Sequence, residues 1–102
     1  MSLGEPMVLN LSNTSGRLTF LQIKADILVS DSASEKLVKM HIPAIRHQLI
    51  VLLSEQPASD MKSATKREKI RSIATAQVQE LMAGLGGDED VGEVLFSSIL
   101  VQ

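Results

Sequence analysis

The amino-acid sequence predicts an α+β domain, a small antiparallel sheet with helices packed on one face, in the order strand, strand, helix, helix, strand. Three observations predict it. Apolar residues alternate with polar ones over two early stretches, Met7 to Leu11 and Leu18 to Val29. Apolar residues then recur at helical spacing through the middle of the chain. The run from Val91 to Val101 is rich in β-branched and large apolar residues. With 102 residues there is enough chain to bury one core.

In the first stretch Met7, Leu9 and Leu11 share a face, and Asn13, Thr14, Ser15 and Gly16 supply the turn of a hairpin. In the second, Leu21, Ile23, Ala25, Ile27 and Val29 fall on one face and Gln22, Lys24 and Asp26 on the other. That is the clearest strand of the chain. Ser32 and Glu35 have capping-box spacing and predict a helix start. Pro43 cannot sit inside a continuous hydrogen-bond ladder but fits the first turn of a new helix, so a break is expected near His41.

Beyond the break, Ile42, Ile45, Leu49, Leu52 and Leu53 form an apolar stripe, widened by Ile50 and Val51. The polar, proline-containing stretch from Ser54 to Asp60 is a connector with room for one short helical turn. Thr65 to Glu68 offers a second capping box. Ile70, Ala74, Val78, Leu81, Met82 and Leu85 then make an amphipathic stripe, ended by a left-handed cap at Gly84, Gly86 and Gly87. Asp88, Glu89 and Asp90 form an acidic loop. The last stretch is apolar on both faces, which predicts a central or buried strand.

Composition excludes several function classes. Ten basic and twelve acidic residues give a formal net charge of -2, so no electrostatic footprint for nucleic acid is present. Without cysteine there are no disulfides, thiolate nucleophiles or cysteine-ligated metals. Phe20 and Phe96 are the only aromatics, so base or sugar stacking has little to work with. No apolar run approaches the roughly 18 residues of a membrane span. Met1, Ser2 and Leu3 read as an expression scar, so residues 1–6 are expected to be disordered and residues 7–102 to form the single domain.

No set of residues points to catalysis, and no cofactor is implied. His41 and His47, six apart, differ in direction by about 120° on a helix, unlike a helical zinc pair. The acidic loop lacks the ligand spacing of a calcium loop. No serine sits in a nucleophile elbow. The glycines after Ala83 follow a helix and cannot present amides to phosphate.

Basic residues are more informative. Lys66, Arg67, Lys69 and Arg71 crowd the start of the last helix, where the macrodipole disfavours cations by a few tenths of a kcal/mol each. Arg67 and Arg71 are four apart and share a face. Arg46 lies at the edge of its apolar stripe, with its stem packed and its head wet. These three arginines are the expected protein contacts. Their acidic partner is either internal, at Glu68 or Asp90, or a surface of another chain. On the second alternative, Arg67→Glu with Arg71→Glu leaves the melting temperature within a few degrees.

The motifs as a set resemble one family. Met7 to Leu11 looks like a strand ending in Asn-Leu, and Arg17 to Ile23 is similar to an "Arg-Tyr-Leu-Lys-Val" stretch. Pro43 to Ser54 is similar to a Pro-x-Ile-Arg segment that leads into a Leu-Leu-Ser helix end. Arg67 to Arg71 resembles a basic helix start, and Val94 to Gln102 a terminal strand ending in Val-Gln. The blocks, in this order, resemble the C-terminal periplasmic domain of the FliL family, bacterial proteins of the flagellar basal body. Two positions depart from the pattern, Lys66 in place of a glycine and Leu100 in place of an aromatic.

The resemblance implies a stomatin-like (SPFH-like) fold that assembles into rings. It implies an upstream inner-membrane helix, with this domain in the periplasm. It also implies stator and other basal-body proteins as partners, together with further copies of the chain, and no enzymatic activity. The alternative is a stomatin-like membrane-tethered scaffold for another periplasmic assembly.

Overall fold

A computed structural model describes residues 1–12, 18–86 and 91–102. The expected hairpin turn at 13–16, Arg17, Gly87 and the acidic loop at 88–90 lie outside the described residues. The fold is α+β, with a three-stranded antiparallel sheet in the order β1-β2-β3. Strand β1 (Met7–Ser12) pairs with β2 (Leu18–Val29), Met7 opposite Ile23 and Leu11 opposite Thr19. On its other side β2 pairs with β3 (Val91–Val101), Leu21 opposite Val101 and Val29 opposite Val91. The register shifts between Lys24 and Ala25 and again between Ile27 and Val29.

The chain alternates as period two requires, with Leu21, Ile23, Ala25 and Ile27 of β2 buried under the helices. The expectation that the last strand is central or buried is corrected. Strand β3 lies at an edge and β2 at the centre, and of β3 only Val91 and Val94 are buried. Apolar residues on both faces of β3 arise because one face meets the helices while the other, carrying Leu100, stays open.

Helices α1 (Ser32–Met40) and α2 (Ile42–Ser54) meet at His41, with Pro43 in the first turn of α2, as the proline predicts. A short helix, α3 (Ala58–Met61), occupies the connector, and α4 (Ala64–Gly84) follows. Both helix caps sit one or two residues earlier than the capping boxes suggest. Asp31 caps α1 by accepting from the Ser34 amide at 2.7 Å, and Ser63 caps α4 by accepting from the Lys66 amide at 3.3 Å. Each is an N-cap residue with extended backbone, and each takes the orphan amide before Ser32 or Thr65 can. At the other end of α4, Gly84 is still helical, and Gly86, with φ of 87°, supplies the left-handed turn.

The core lies between sheet and helices. Ile45, Leu49 and Leu53 of α2, which lies against β1, and Ile70, Ala74, Val78 and Met82 of α4, which lies against β3, join Leu21, Ile23, Ala25 and Ile27 of β2 in one buried cluster. Each Leu or Ile fully buried there contributes about 1.5–3 kcal/mol. The outlying stripe members behave differently, since Val51 and Leu85 are exposed and Ile42, Ile50 and Leu81 half-buried. They sit at the margins of faces that are narrower than the sequence suggests.

Residues 1–6, expected to be disordered, are partly placed in the sheet. The Met1 carbonyl accepts from the Ile27 amide at 2.8 Å, and the Leu3 amide donates to the Ala25 carbonyl at 3.0 Å. Strand β2 has twelve residues and β1 six, so half of that edge of β2 would otherwise be bare. Residues 1–3 cover it, and Leu3 is buried to 1% exposure.

Candidate functional site

On α4 the buried residues Ile70, Ala74, Val78 and Met82 repeat every four positions. One step round the helix, Arg67, Arg71, Thr75 and Gln79 repeat with the same spacing. Residues four apart lie on one face of a helix, so the second set is a polar row beside the apolar stripe. Because α4 packs on β3, the row runs along the free edge of that strand.

Three members of the row bond the β3 backbone. Gln79 Nε2 donates to the Val91 carbonyl at 3.0 Å, Thr75 Oγ1 accepts from the Val94 amide at 3.0 Å, and Arg71 Nη1 donates to the Val94 carbonyl at 3.1 Å. An edge strand carries unpaired backbone groups, and these side chains satisfy them.

Arg71 is held on its other side by Glu68, with Nε to Oε2 at 2.9 Å and Nη2 to Oε1 at 2.6 Å. This two-pronged bond is the main reason that the Glu68 carboxyl is pushed below its ordinary value, desolvation opposing it. The same bond pushes the Arg71 guanidinium up. Glu93 stands 3.9 Å away as a looser third charge. Of the two internal partners that the sequence offers, Glu68 is the one in contact, and Asp90 lies outside the described residues.

Arg46 is held in the same manner at the opposite edge of the sheet. Its Nη1 donates to the carbonyls of Leu3 at 3.0 Å and Glu5 at 2.6 Å, which ties α2 to the covering segment. Gly4, between those carbonyls, has φ of 102°, and a Cβ there would stand 3.3 Å from Arg46 Nη1. Arg67 Nη1 donates to the Met61 carbonyl at 3.0 Å and closes the C-terminal end of α3. The structure therefore does not gather the three arginines into one patch. Arg67 and Arg71 share the row beside β3, and Arg46 is at the other edge.

Beside Arg67 the edge of β3 is open. A groove there is lined by Lys62, Arg67, Phe96, Ser97, Ser98, Ile99 and Val101, with two cations and no carboxylate among the lining residues. On the outer face of the sheet, Val8, Phe20, Leu28 and Leu100 are 41–55% exposed. His41 is the residue between α1 and α2, and His47 is exposed on α2. Among the described residues no cluster of three or more His, Asp or Glu could hold a metal ion. No helix among them is long and apolar enough to cross a membrane.

Sequence reasoning missed Thr75, Gln79 and Lys62. The signal was present for the first two, as members of the four-residue polar row. Lys62 has no such pattern, because its place depends on how α3 meets β3.

No curated protein matches the chain. The family model described as "Flagellar basal body-associated protein FliL" matches residues 1–102, the whole of the sequence. The motif blocks of both strands and helices thus fall inside one continuous match, and the chain belongs to the FliL family of flagellar basal body-associated proteins.

Proposed function

We propose that this is a non-enzymatic binding domain through which the protein associates with the stator units of the flagellar motor and supports motility. The observation that carries this reading is the family match over residues 1–102. The domain lies in the periplasm, tethered to the inner membrane by an upstream helix, and self-associates into a ring with a stomatin-like packing of subunits. Tethering confines copies to a plane and raises their effective concentration, so contacts too weak to register in dilute solution can close a ring.

Among the three arginines expected to make contacts, we assign the intermolecular role chiefly to Arg67. Arg46 and Arg71 each place a guanidinium nitrogen on backbone carbonyls of the same chain, and Arg71 adds a two-pronged bond to Glu68. Arg67 makes one such bond and borders an open groove.

Deleting the gene tests the proposal. Swimming or swarming is expected to fall, and crosslinking of the tethered protein in cells is expected to capture stator proteins and further copies of the chain. Unchanged motility at every load, with no stator protein captured, overturns it.

A further inference from the structure

We infer that the C-terminal half of β3 is a docking edge for an extended acidic segment of another protein, which adds to the sheet as a fourth strand. Phe20 and Gln102 exchange both backbone hydrogen bonds, at 2.6 and 2.8 Å. In an antiparallel pair such bonded positions alternate with non-bonded ones. Val101, opposite Leu21, and Ile99, opposite Ile23, are therefore non-bonded positions whose N–H and C=O point away from β2.

The same holds for Val94 in the first half of the strand, where α4 supplies partners through Thr75 and Arg71. The polar row does not continue this service. Arg67, its next member, turns to the Met61 carbonyl, and among the described residues no side chain bonds the outward groups of Ile99 or Val101. Strand edges left in this state are templates for a further strand.

The surroundings define what would fit. Lys62 and Arg67 line the groove and no carboxylate does, so the complementary segment is acidic. Phe96, Ile99 and Val101, half-buried, form an apolar floor on the helix side. A segment that alternates acidic and β-branched residues would direct one set to the cations and still pair its backbone with Ile99 and Val101.

This inference rests on the reading of the domain as a protein-binding one, but its test is separate from motility. The probe is a short synthetic peptide alternating glutamate and valine, titrated into the chain while backbone amide resonances are followed. The largest shifts, and slowed amide exchange, are expected at Ile99 and Val101. Lys62→Glu should weaken binding by about fivefold or more, because it places like charges together. A glutamine–valine peptide should bind more weakly, and Val101→Pro, which removes an outward amide, should abolish the shifts while circular dichroism shows the fold retained.

Shifts centred on Val8, Phe20 and Leu100, affinity indifferent to Lys62→Glu, or no shift at all would overturn the inference. So would a second copy of the chain pairing at this edge and excluding the peptide. If the peptide binds but deletion leaves motility intact, the docking edge stands and the flagellar reading falls. The reverse pair of results does the opposite.

Discussion

The two halves of β3 differ in how their free edge is treated, though both lie beside the same helix. Over Val91 and Val94, three side chains of α4 bond the outward backbone groups, and Val91 and Val94 are buried. Over Ile99 and Val101 the corresponding groups have no side-chain partner among the described residues, and the flanking side chains are half-buried or exposed. The difference originates in four residues of sequence spacing. Arg71, Thr75 and Gln79 face the strand, while Arg67 is drawn to the end of α3. A sheet edge can thus be closed by a helix without a further strand, and closed only as far as the polar row reaches.

The opposite edge repeats the lesson. Residues 1–3 extend the cover of β2 beyond β1, and Arg46 fastens them from α2. Arg46 and Arg71 therefore hold opposite edges of the sheet to the helix layer, each by donating to carbonyls.

The largest effect is expected where the closed half is broken. Arg71→Ala removes a charged donor from the part-buried Val94 carbonyl, which should cost about 1.5–3 kcal/mol, whereas the exposed Glu68 that it also releases is taken up by water. For a domain of this size that lowers the melting temperature by roughly 4–8 °C per kcal/mol. Arg67→Glu with Arg71→Glu should accordingly destabilise the chain, against the small change that the charge pattern alone suggests.

Thr75→Val comes next. It leaves the Val94 amide without an acceptor, at about 1–3 kcal/mol, and combined with Arg71→Ala it should be non-additive because both act on Val94. Chemical denaturation of the two single variants and the double variant measures this coupling directly.

In the open half the expected effect is small. Lys62→Glu should change stability by no more than about 0.5 kcal/mol, since Lys62 is exposed and makes no ion pair among the described residues. A large loss there would place Lys62 in the fold and not at its margin.

Acid sharpens the comparison further. The Glu68 carboxyl, bonded by Arg71, and the Asp31 carboxyl, bonded first by the Ser34 amide, both lie below their ordinary values of 4.5 and 3.8. A folded value below the unfolded one means that their stabilisation is complete above the unfolded value and fades as pH falls through the folded one. Unfolding midpoints should be flat above about pH 5 and decline below the ordinary carboxyl range. Glu68→Gln should remove part of the decline. Both groups are at the surface, so the effect is modest.

Much of the fold is legible in the sequence because periodicity reports burial. The alternation through Ile23, Ala25 and Ile27 and the stripe from Ile70 to Met82 correspond to buried faces, and Pro43 marks the start of α2. Strand order is not legible in this way. Apolar residues on both faces suit a central strand, yet β3 carries them at an edge, since pattern records which faces are apolar and not which neighbours they meet.

Arg46 and Arg71 show a second limit. Charge and spacing make them conspicuous, and charge directs attention to acidic partners. Their most consequential partners are carbonyls of Leu3, Glu5 and Val94, and a backbone group leaves no mark in a sequence. The row at Arg71, Thr75 and Gln79 was readable in principle from its spacing. Its meaning required knowing that β3 lies beside it.

Amide hydrogen exchange along β3 tests the contrast between its halves most directly. Val94, bonded to Thr75, and Ser98 and Leu100, which by the alternation of the ladder donate to β2, should exchange slowly. Ile99 and Val101 should exchange much faster, and Thr75→Val should bring Val94 towards their rate. Protection of Ile99 and Val101 equal to that of Val94 in the free chain would show the edge to be closed along its whole length, and would contradict the account.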